Sequence, residues 1–111
     1  MRWFKFFFAL FILSLIATGA MVRRLQVEGT ELEGLHYLRA FGNSDAIRRD
    51  AAQAGRVVCV GGSYIACEVA ASLTAIGVAV TLVMQEAAPF ERSFGPQVGA
   101  WFRRLFEDRG V

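Results

Sequence analysis

The sequence has few cysteines and histidines, the side chains that most often bind zinc. It contains 2 cysteines and 1 histidine, and Cys59 and Cys67 show neither CxxC spacing nor a place in a His/Cys cluster. A zinc site is therefore not expected. Because unpaired cysteines are commonly buried, we expect both thiols to be small residues of the core.

The sequence also lacks a concentration of charge of one sign. Its 12 basic and 10 acidic residues give a net charge of +2, and the basic residues are scattered in pairs and do not form a stripe. A nucleic-acid-binding surface is therefore not expected. With 111 residues the chain can form one modest core, which predicts a single domain next to an unusual N-terminal segment.

No charged residue occurs from Phe6 to Val22, a length near the lower limit for a helix that crosses a hydrocarbon core of about 30 Å. Two interpretations of this segment stay open. It is either a membrane or secretory-signal helix over residues 6–22, or a strand, LIATGA, that follows an apolar extension. We expect a cytoplasmic protein on the second interpretation and a membrane-anchored one on the first.

Glycines separate the elements that follow. A helix is predicted from Asn43 or Ser44, either of which can cap it, to about Ala54, where Gly55 supplies a left-handed stop. The next residues, VVCV, are apolar without alternation and predict a strand that helices cover on both faces. A second helix over 63–76 is predicted with four apolar residues on one face. These are Ile65, Val69, Leu73 and Ile76.

A second β-branched run over 78–83 predicts another strand, and a later helix is predicted from one apolar face. That face comprises Val98, Trp101, Phe102, Leu105 and Phe106. Strands that alternate with helices across short connections predict an α/β fold with a parallel sheet and right-handed crossovers.

The segment that indicates function is VGGSYIA, in which a strand leads into glycines and then a helix. In the dinucleotide-binding pattern GxGxxG, the three glycine positions correspond here to Gly61, Ser63 and Ala66. Gly61 permits the positive φ of the tight turn, Ser63 is small, and alanine is an accepted variant at the third position. The amides from Ser63 to Ile65 are then expected to face a pyrophosphate at the helix N-terminus.

An acidic residue that accepts the ribose hydroxyls of NAD is expected about twenty positions further along. Glu86 lies at that distance from Ala66, and Arg92 could instead bind the 2′-phosphate of NADP. The sequence thus favours NADH slightly over NADPH and leaves both open.

The segment VVCVGGSYIACEVAASLTAIGVAVTLV resembles the second, NAD(P)H-binding Rossmann motif of the FAD-dependent pyridine nucleotide-disulfide oxidoreductases. Its continuation, QEAAPFERSFGPQVGAWFRRLFEDRGV, is similar to the branch with ferredoxin and rubredoxin reductases, monodehydroascorbate reductases and apoptosis-inducing-factor-like proteins. Upstream, LIATGAMVRRLQVEGTELEGLHYLR resembles the family's ATG segment. The resemblance covers Leu15 to Val111.

This resemblance implies a truncated FAD/NAD(P)-binding fold, in which a Rossmann-like βαβ unit forms a three-layer arrangement. It divides the chain into an apolar segment (1–22), a crossover linker (23–42) and a partial NAD(P)-binding domain (43–111). It also implies residue roles. By this resemblance Thr18 and Gly19 lie near FAD, while Gly61, Gly62 and Ser63 form the pyrophosphate loop. Tyr64 and Ile65 lie near the nicotinamide. Glu68 faces the junction of nicotinamide and flavin.

The implied activity is hydride transfer from NAD(P)H to FAD, with electrons passed on to a ferredoxin-like protein or a small acceptor. The absence of a dithiol pair disfavours a disulfide reductase of the glutathione-reductase kind. The family's separate FAD-binding and interface domains have no counterpart in this sequence, so we expect the chain alone to be an inactive fragment of a longer enzyme. The alternative is a membrane-anchored, non-catalytic nucleotide-binding or interaction module.

Overall fold

The computed structural model describes residues 2–16, 19 and 21–111. Contacts divide the chain into two compact units, Met1–Arg39 and Ala40–Val111. The first unit contains helix α1 (Arg2–Ile16). The second contains α2 (Asn43–Ala54), β1 (Arg56–Val60), α3 (Tyr64–Ala75), β2 (Ala79–Val83) and α4 (Glu91–Glu107). The three-segment division at residues 22 and 42 stays a prediction.

Helix α1 ends at Ile16 and is shorter than the helix considered over residues 6–22. Leu15 and Ile16, the first residues of LIATGA, belong to this helix and not to a strand. Residues 17, 18 and 20 lie outside the described part of the chain. Among the described residues, no helix combines the length and the apolarity needed to cross a membrane.

Strands β1 and β2 form a parallel pair that runs in register from Arg56 opposite Ala79 to Val60 opposite Val83. Helix α3 connects them, since parallel neighbours need a crossover. This arrangement confirms the predicted α/β class and the parallel sheet. Because both strands point the same way, the loops that follow Val60 and Val83 lie at one edge of the sheet.

The core lies on one face of this sheet. Cys59 and Val80 are buried there, together with residues from α2 and α3 such as Ala51 and Leu73. On the opposite face Val58 and Val60 remain more than half exposed. The prediction that helices cover both faces of β1 is therefore wrong for the described residues, because the helical residues of the core all pack on the Cys59 side.

Helix α2 begins differently from the prediction. Neither Asn43 nor Ser44 caps it; the N-cap is Gly42, with φ of 81° and no side-chain cap. The Asn43 side chain instead accepts a hydrogen bond from the Ala40 amide at 2.5 Å. The predicted stop is confirmed, since Gly55 has φ of 68° and donates its amide to the Ala51 carbonyl.

The buried face of α3 agrees only in part with the predicted one, since Leu73 is buried and Val69 packs against the core. Its buried residues are Cys67, Ala70 and Leu73, whereas Ile65 and Ile76 are 61% and 55% exposed. Ala70 has no exposed surface, so the helix approaches the sheet through small residues. The larger aliphatic residues therefore predicted the buried face only in part, because its closest approach to the sheet is made by smaller residues.

Helix α4 begins at Glu91, well before the predicted apolar face. Gly95 interrupts it with a non-helical backbone (φ 82°, ψ 172°), and Pro96 follows. Proline cannot donate an amide to the preceding turn, which accounts for a kink here. Of the predicted face, Val98 and Trp101 are exposed, and only its later residues are half-buried.

Leu73 is the largest fully buried side chain among the described residues, with 2% of its surface exposed. We expect Leu73→Ala to lower the free energy of unfolding by about 2–5 kcal/mol, because it leaves a cavity between α3 and the sheet. Urea unfolding followed by circular dichroism measures this change. Ile76→Ala removes a similar side chain that is 55% exposed and should have a much smaller effect; equal losses in the two variants would contradict the core described above.

Candidate functional site

The site begins in the turn after β1. Gly61 has φ of 132°, a backbone conformation that L side chains rarely adopt. Its amide donates to the carbonyl of Val83 at 2.8 Å, which ties the turn to the end of β2. A Cβ placed on Gly61 would lie 3.2 Å from the Ala66 Cβ, so the turn also lies tightly against the first turn of α3.

The N-terminus of α3 presents unused backbone donors. Ser63 is the N-cap, has extended backbone angles and makes no side-chain capping bond. Its carbonyl accepts the first helical hydrogen bond, from the Cys67 amide. The preceding amides of α3 have no acceptor within the helix, and the positive end of the helix dipole lies at the same place. Such a terminus favours a phosphate.

Gly62 lies beneath side chains from the loop after β2. A Cβ on Gly62 would be 2.9 Å from Met84 Sδ and 3.4 Å from Glu86 Oε2. The Gly62 carbonyl accepts a hydrogen bond from the Phe90 amide at 2.6 Å. The structure therefore brings the carboxylate of Glu86 next to the glycine turn, where a ribose acceptor was predicted.

Glu86 and Arg92, the two predicted determinants of cofactor choice, lie against each other. Arg92 Nε is 3.8 Å from Glu86 Oε1. The Arg92 side chain is 85% exposed and that of Glu86 27%. One carboxylate oxygen of Glu86 thus faces the guanidinium, while the other lies near Gly62. A nucleotide ribose at this position would meet an acceptor and a cation together.

An aromatic cluster borders the same loop, and the sequence analysis did not predict it. Phe90 is buried and adopts φ of 60° at the N-cap of α4. Its ring contacts those of Phe102, Tyr64 and Phe94, with centroids 4.5, 5.3 and 6.1 Å away. Tyr64 and Phe94 are each about half exposed. The cluster holds the start of α4 against the start of α3. The aromatic spacing in PFERSF was the available signal.

The residues that resemblance places near the nicotinamide lie at the start of α3. Tyr64 and Ile65 are more than half exposed, and Glu68 is exposed one turn further along the same helix. Residues three and four apart share a helix face, so Glu68 lies on the side of Tyr64 and Ile65. Their roles in binding stay predictions.

The two residues predicted near FAD belong to the first unit. Thr18 lies outside the described residues. Gly19 has φ of 87°, and a side chain there would collide with the Arg39 guanidinium. This glycine therefore has a conformational reason to be glycine, and its place near a flavin stays a prediction.

Both cysteines are buried and free, as predicted. Burial raises the pKa of the Cys59 thiol. Burial is also the main reason why the pKa of Cys67 is raised, and the nearby Cys59 adds to it. Since the thiolate is the reactive form, these cysteines have the properties of core residues and not of redox centres.

We expect iodoacetamide to label the folded chain at least about tenfold more slowly than the urea-unfolded chain near pH 8.5, the ordinary thiol pKa. A raised pKa means less thiolate at a given pH, so the labelling profile of the folded chain should shift to higher pH. Mass spectrometry counts the labelled thiols, and Cys59→Ala isolates Cys67. Coinciding profiles would contradict the burial.

Comparison with known proteins places the chain in a family. The sequence pattern of the family described as pyridine nucleotide-disulphide oxidoreductase matches residues 14–111. The chain belongs to this family. The recognition based on the glycine turn and its surroundings is thereby confirmed, and with it the assignment to an oxidoreductase family. The residues before 14 lie outside the match.

Several curated relatives are named as reductases. The chain is 38% identical over 97 residues to the biphenyl dioxygenase system ferredoxin–NAD(+) reductase component of Paraburkholderia xenovorans, covering 87% of this chain and 24% of the relative. It is 39% identical over 99 residues to the rubredoxin–NAD(+) reductase of Pseudomonas putida, covering 87% and 25%. It is 34% identical over 98 residues to a monodehydroascorbate reductase of Arabidopsis thaliana, covering 87% and 20%.

The chain thus spans about a quarter of the length of the curated relatives that it matches. No solved structure gives a significant match. Family membership therefore rests on the sequence matches, and the geometry of the glycine turn is an independent observation.

Proposed function

We propose that the chain binds a nicotinamide dinucleotide at the turn after β1 and serves as the NAD(P)H-binding segment of an FAD-dependent oxidoreductase. The observation that carries this proposal is the turn itself. Gly61 takes a positive φ, the first amides of α3 have no partner within the helix and no side-chain cap from Ser63, and the Glu86 carboxylate lies beside Gly62.

These residues fit the chemical groups of a dinucleotide. The amides at the start of α3 suit the negative diphosphate. Glu86 accepts hydrogen bonds from ribose hydroxyls, and the neighbouring Arg92 suits a 2′-phosphate. We propose NADH as the preferred cofactor, because Glu86 is closer to the turn and less exposed than Arg92.

On the other side of the turn, Tyr64 and Ile65 would contact the nicotinamide, and Glu68 would face the junction with the flavin. The chemistry that a bound nicotinamide supplies is hydride transfer to FAD. Thr18 and Gly19 would lie near FAD in a longer protein. The names of the ferredoxin and rubredoxin reductases support a ferredoxin-like protein as the electron acceptor. The proposed location of the nucleotide-binding residues 43–111 is the cytoplasm.

A chimaera tests this function. Residues 43–111 replace the matching segment of the rubredoxin–NAD(+) reductase of Pseudomonas putida, a relative that supplies the rest of a reductase. We expect NADH to bleach the flavin absorbance of the chimaera within seconds under anaerobic conditions. The matched control carries Gly61→Asp in the same chimaera and should bleach at least about 100-fold more slowly.

Binding by the chain alone is tested separately, by titrating it into NADH and following the nucleotide fluorescence. A chimaera that folds and retains flavin, but is not reduced by NADH or NADPH, would contradict the reductase function. Absence of binding by both the chain and the chimaera would contradict the site itself.

A further inference from the structure

Helix α1 exposes large apolar side chains in every direction. Eight of them are 40–74% exposed, namely Trp3, Phe6, Phe7, Phe8, Leu10, Phe11, Ile12 and Leu13. Successive residues of a helix are about 100° apart, so this nearly continuous run leaves no polar side for water. A helix that is apolar all round is found buried in a large core or in a membrane. Water is therefore an unfavourable environment for α1.

Charge is distributed unevenly around this helix. Of the 12 basic residues, four precede Glu28, and none of the 10 acidic residues does. Residues 1–27 thus carry a charge of +4, and the rest of the chain carries −2, which together give the net +2. The basic residues are Arg2, Lys5, Arg23 and Arg24.

The exposed apolar side chains of α1 and the positive charge of residues 1–27 together indicate which kind of partner contacts this helix. A second copy of α1 would bring two groups of four positive charges together, which is unfavourable. A helix that binds in a protein groove contacts it through one apolar stripe, and the rest of its surface is polar. Hydrocarbon chains surround a helix on all sides, and anionic headgroups attract basic residues at about 1 kcal/mol each. Tryptophan, present here as Trp3, is enriched where headgroups meet hydrocarbon.

We propose that α1 inserts into one leaflet of a phospholipid bilayer rich in anionic lipids, without crossing it, and that the basic residues on either side of its apolar run lie at the headgroups of that leaflet. The inference does not depend on nucleotide binding. It concerns residues that lie almost entirely outside the family match, which begins at residue 14. It gives the second unit of the chain a location at a membrane surface.

Flotation of the full chain with lipid vesicles tests the proposal. One set of vesicles contains phosphatidylcholine alone, and the other contains phosphatidylcholine and phosphatidylglycerol in equal parts. We expect the chain to float with the mixed vesicles and to bind the neutral ones at least about tenfold more weakly. In a Trp101→Phe background Trp3 is the remaining tryptophan, and its emission should shift to the blue on addition of mixed vesicles.

Paired variants show whether vesicle binding depends on α1 or on exposed apolar residues anywhere in the chain. Phe7→Ser with Leu13→Ser removes two apolar side chains that are each 60% exposed and should weaken vesicle binding at least about tenfold. The matched control, Phe41→Ser with Leu32→Ser, removes the same residue types from exposed positions outside α1 and should bind like the wild type.

Charge variants test the lipid preference. Lys5→Gln with Arg23→Gln should remove most of the difference between the two vesicle types. The proposal is overturned if the chain stays in the aqueous fraction with both vesicle types or binds both equally. It is also overturned if the Phe41 and Leu32 control loses as much binding as the helix variant. NADH titration of the same samples reports separately on the nucleotide site.

Discussion

Gly61→Asp is expected to lower the affinity of the chain for NADH at least about 100-fold, which corresponds to about 2.7 kcal/mol. Aspartate would have to adopt φ of 132°, which is unfavourable for an L side chain. Its Cβ would lie 3.2 Å from the Ala66 Cβ. Its carboxylate would also repel the diphosphate at the N-terminus of α3. Fluorescence titration of NADH with the purified variant measures the loss.

Gly77→Asp is the matched control for this substitution. Gly77 also has a positive φ, of 86°, but a Cβ there meets no atom within 4 Å, and the residue lies beyond the opposite end of α3. Gly77→Asp therefore places the same charge, also at a positive φ, away from the proposed phosphate position. Circular dichroism checks that both variants fold. Equal NADH affinity in wild type and Gly61→Asp would rule out the phosphate site.

Substitutions at Glu86 and Arg92 should change the preference between NADH and NADPH in opposite directions. Glu86→Gln should weaken NADH binding about tenfold, because it removes a charged acceptor for ribose hydroxyls, and should bring NADPH closer to NADH. Arg92→Gln should weaken NADPH binding about tenfold and leave NADH nearly unchanged, because it removes the cation that would meet the 2′-phosphate. Parallel titrations with the two nucleotides give the ratio.

A second ion pair on α4 provides the control for these substitutions. Arg103 Nε lies 2.8 Å from Glu107 Oε1, and both residues belong to α4. Glu107→Gln therefore removes another carboxylate that is paired with an arginine, at a position remote in sequence from the glycine turn. It should alter neither affinity. If Glu86→Gln and Arg92→Gln changed the ratio in the same direction, the assignment of separate roles to the two residues would be incorrect.

The middle of the fold could be predicted because its signals are local. Continuous β-branched runs predicted β1 and β2, and Gly55 predicted where α2 ends. The turn at Gly61 could be placed because a strand, a glycine and a helix follow directly in sequence. These elements each depend on neighbouring residues, and single-sequence patterns contain that information.

Other features depend on residues brought together by the fold. The spacing of aliphatic residues in α3 could not show that Ala70 and Cys67 make the closest approach, since this depends on the distance between helix and sheet. The proximity of Glu86 to Gly62 depends on how the loop after Val83 turns back. Phe90 was missed because a left-handed conformation is uncommon for a phenylalanine, and because its ring contacts and its hydrogen bond to Gly62 form only in the folded chain.

The hydrogen bond from Phe90 to Gly62 has a consequence for studies of the chain in solution. The Phe90 amide donates to the Gly62 carbonyl in the turn after β1 at 2.6 Å, and its ring is held in the aromatic cluster. Exchange of that amide proton with deuterium requires the bond to open, so its exchange rate measures how often the turn loosens. One resonance can therefore follow the rigidity of the turn without a bound cofactor, a chromophore or a label.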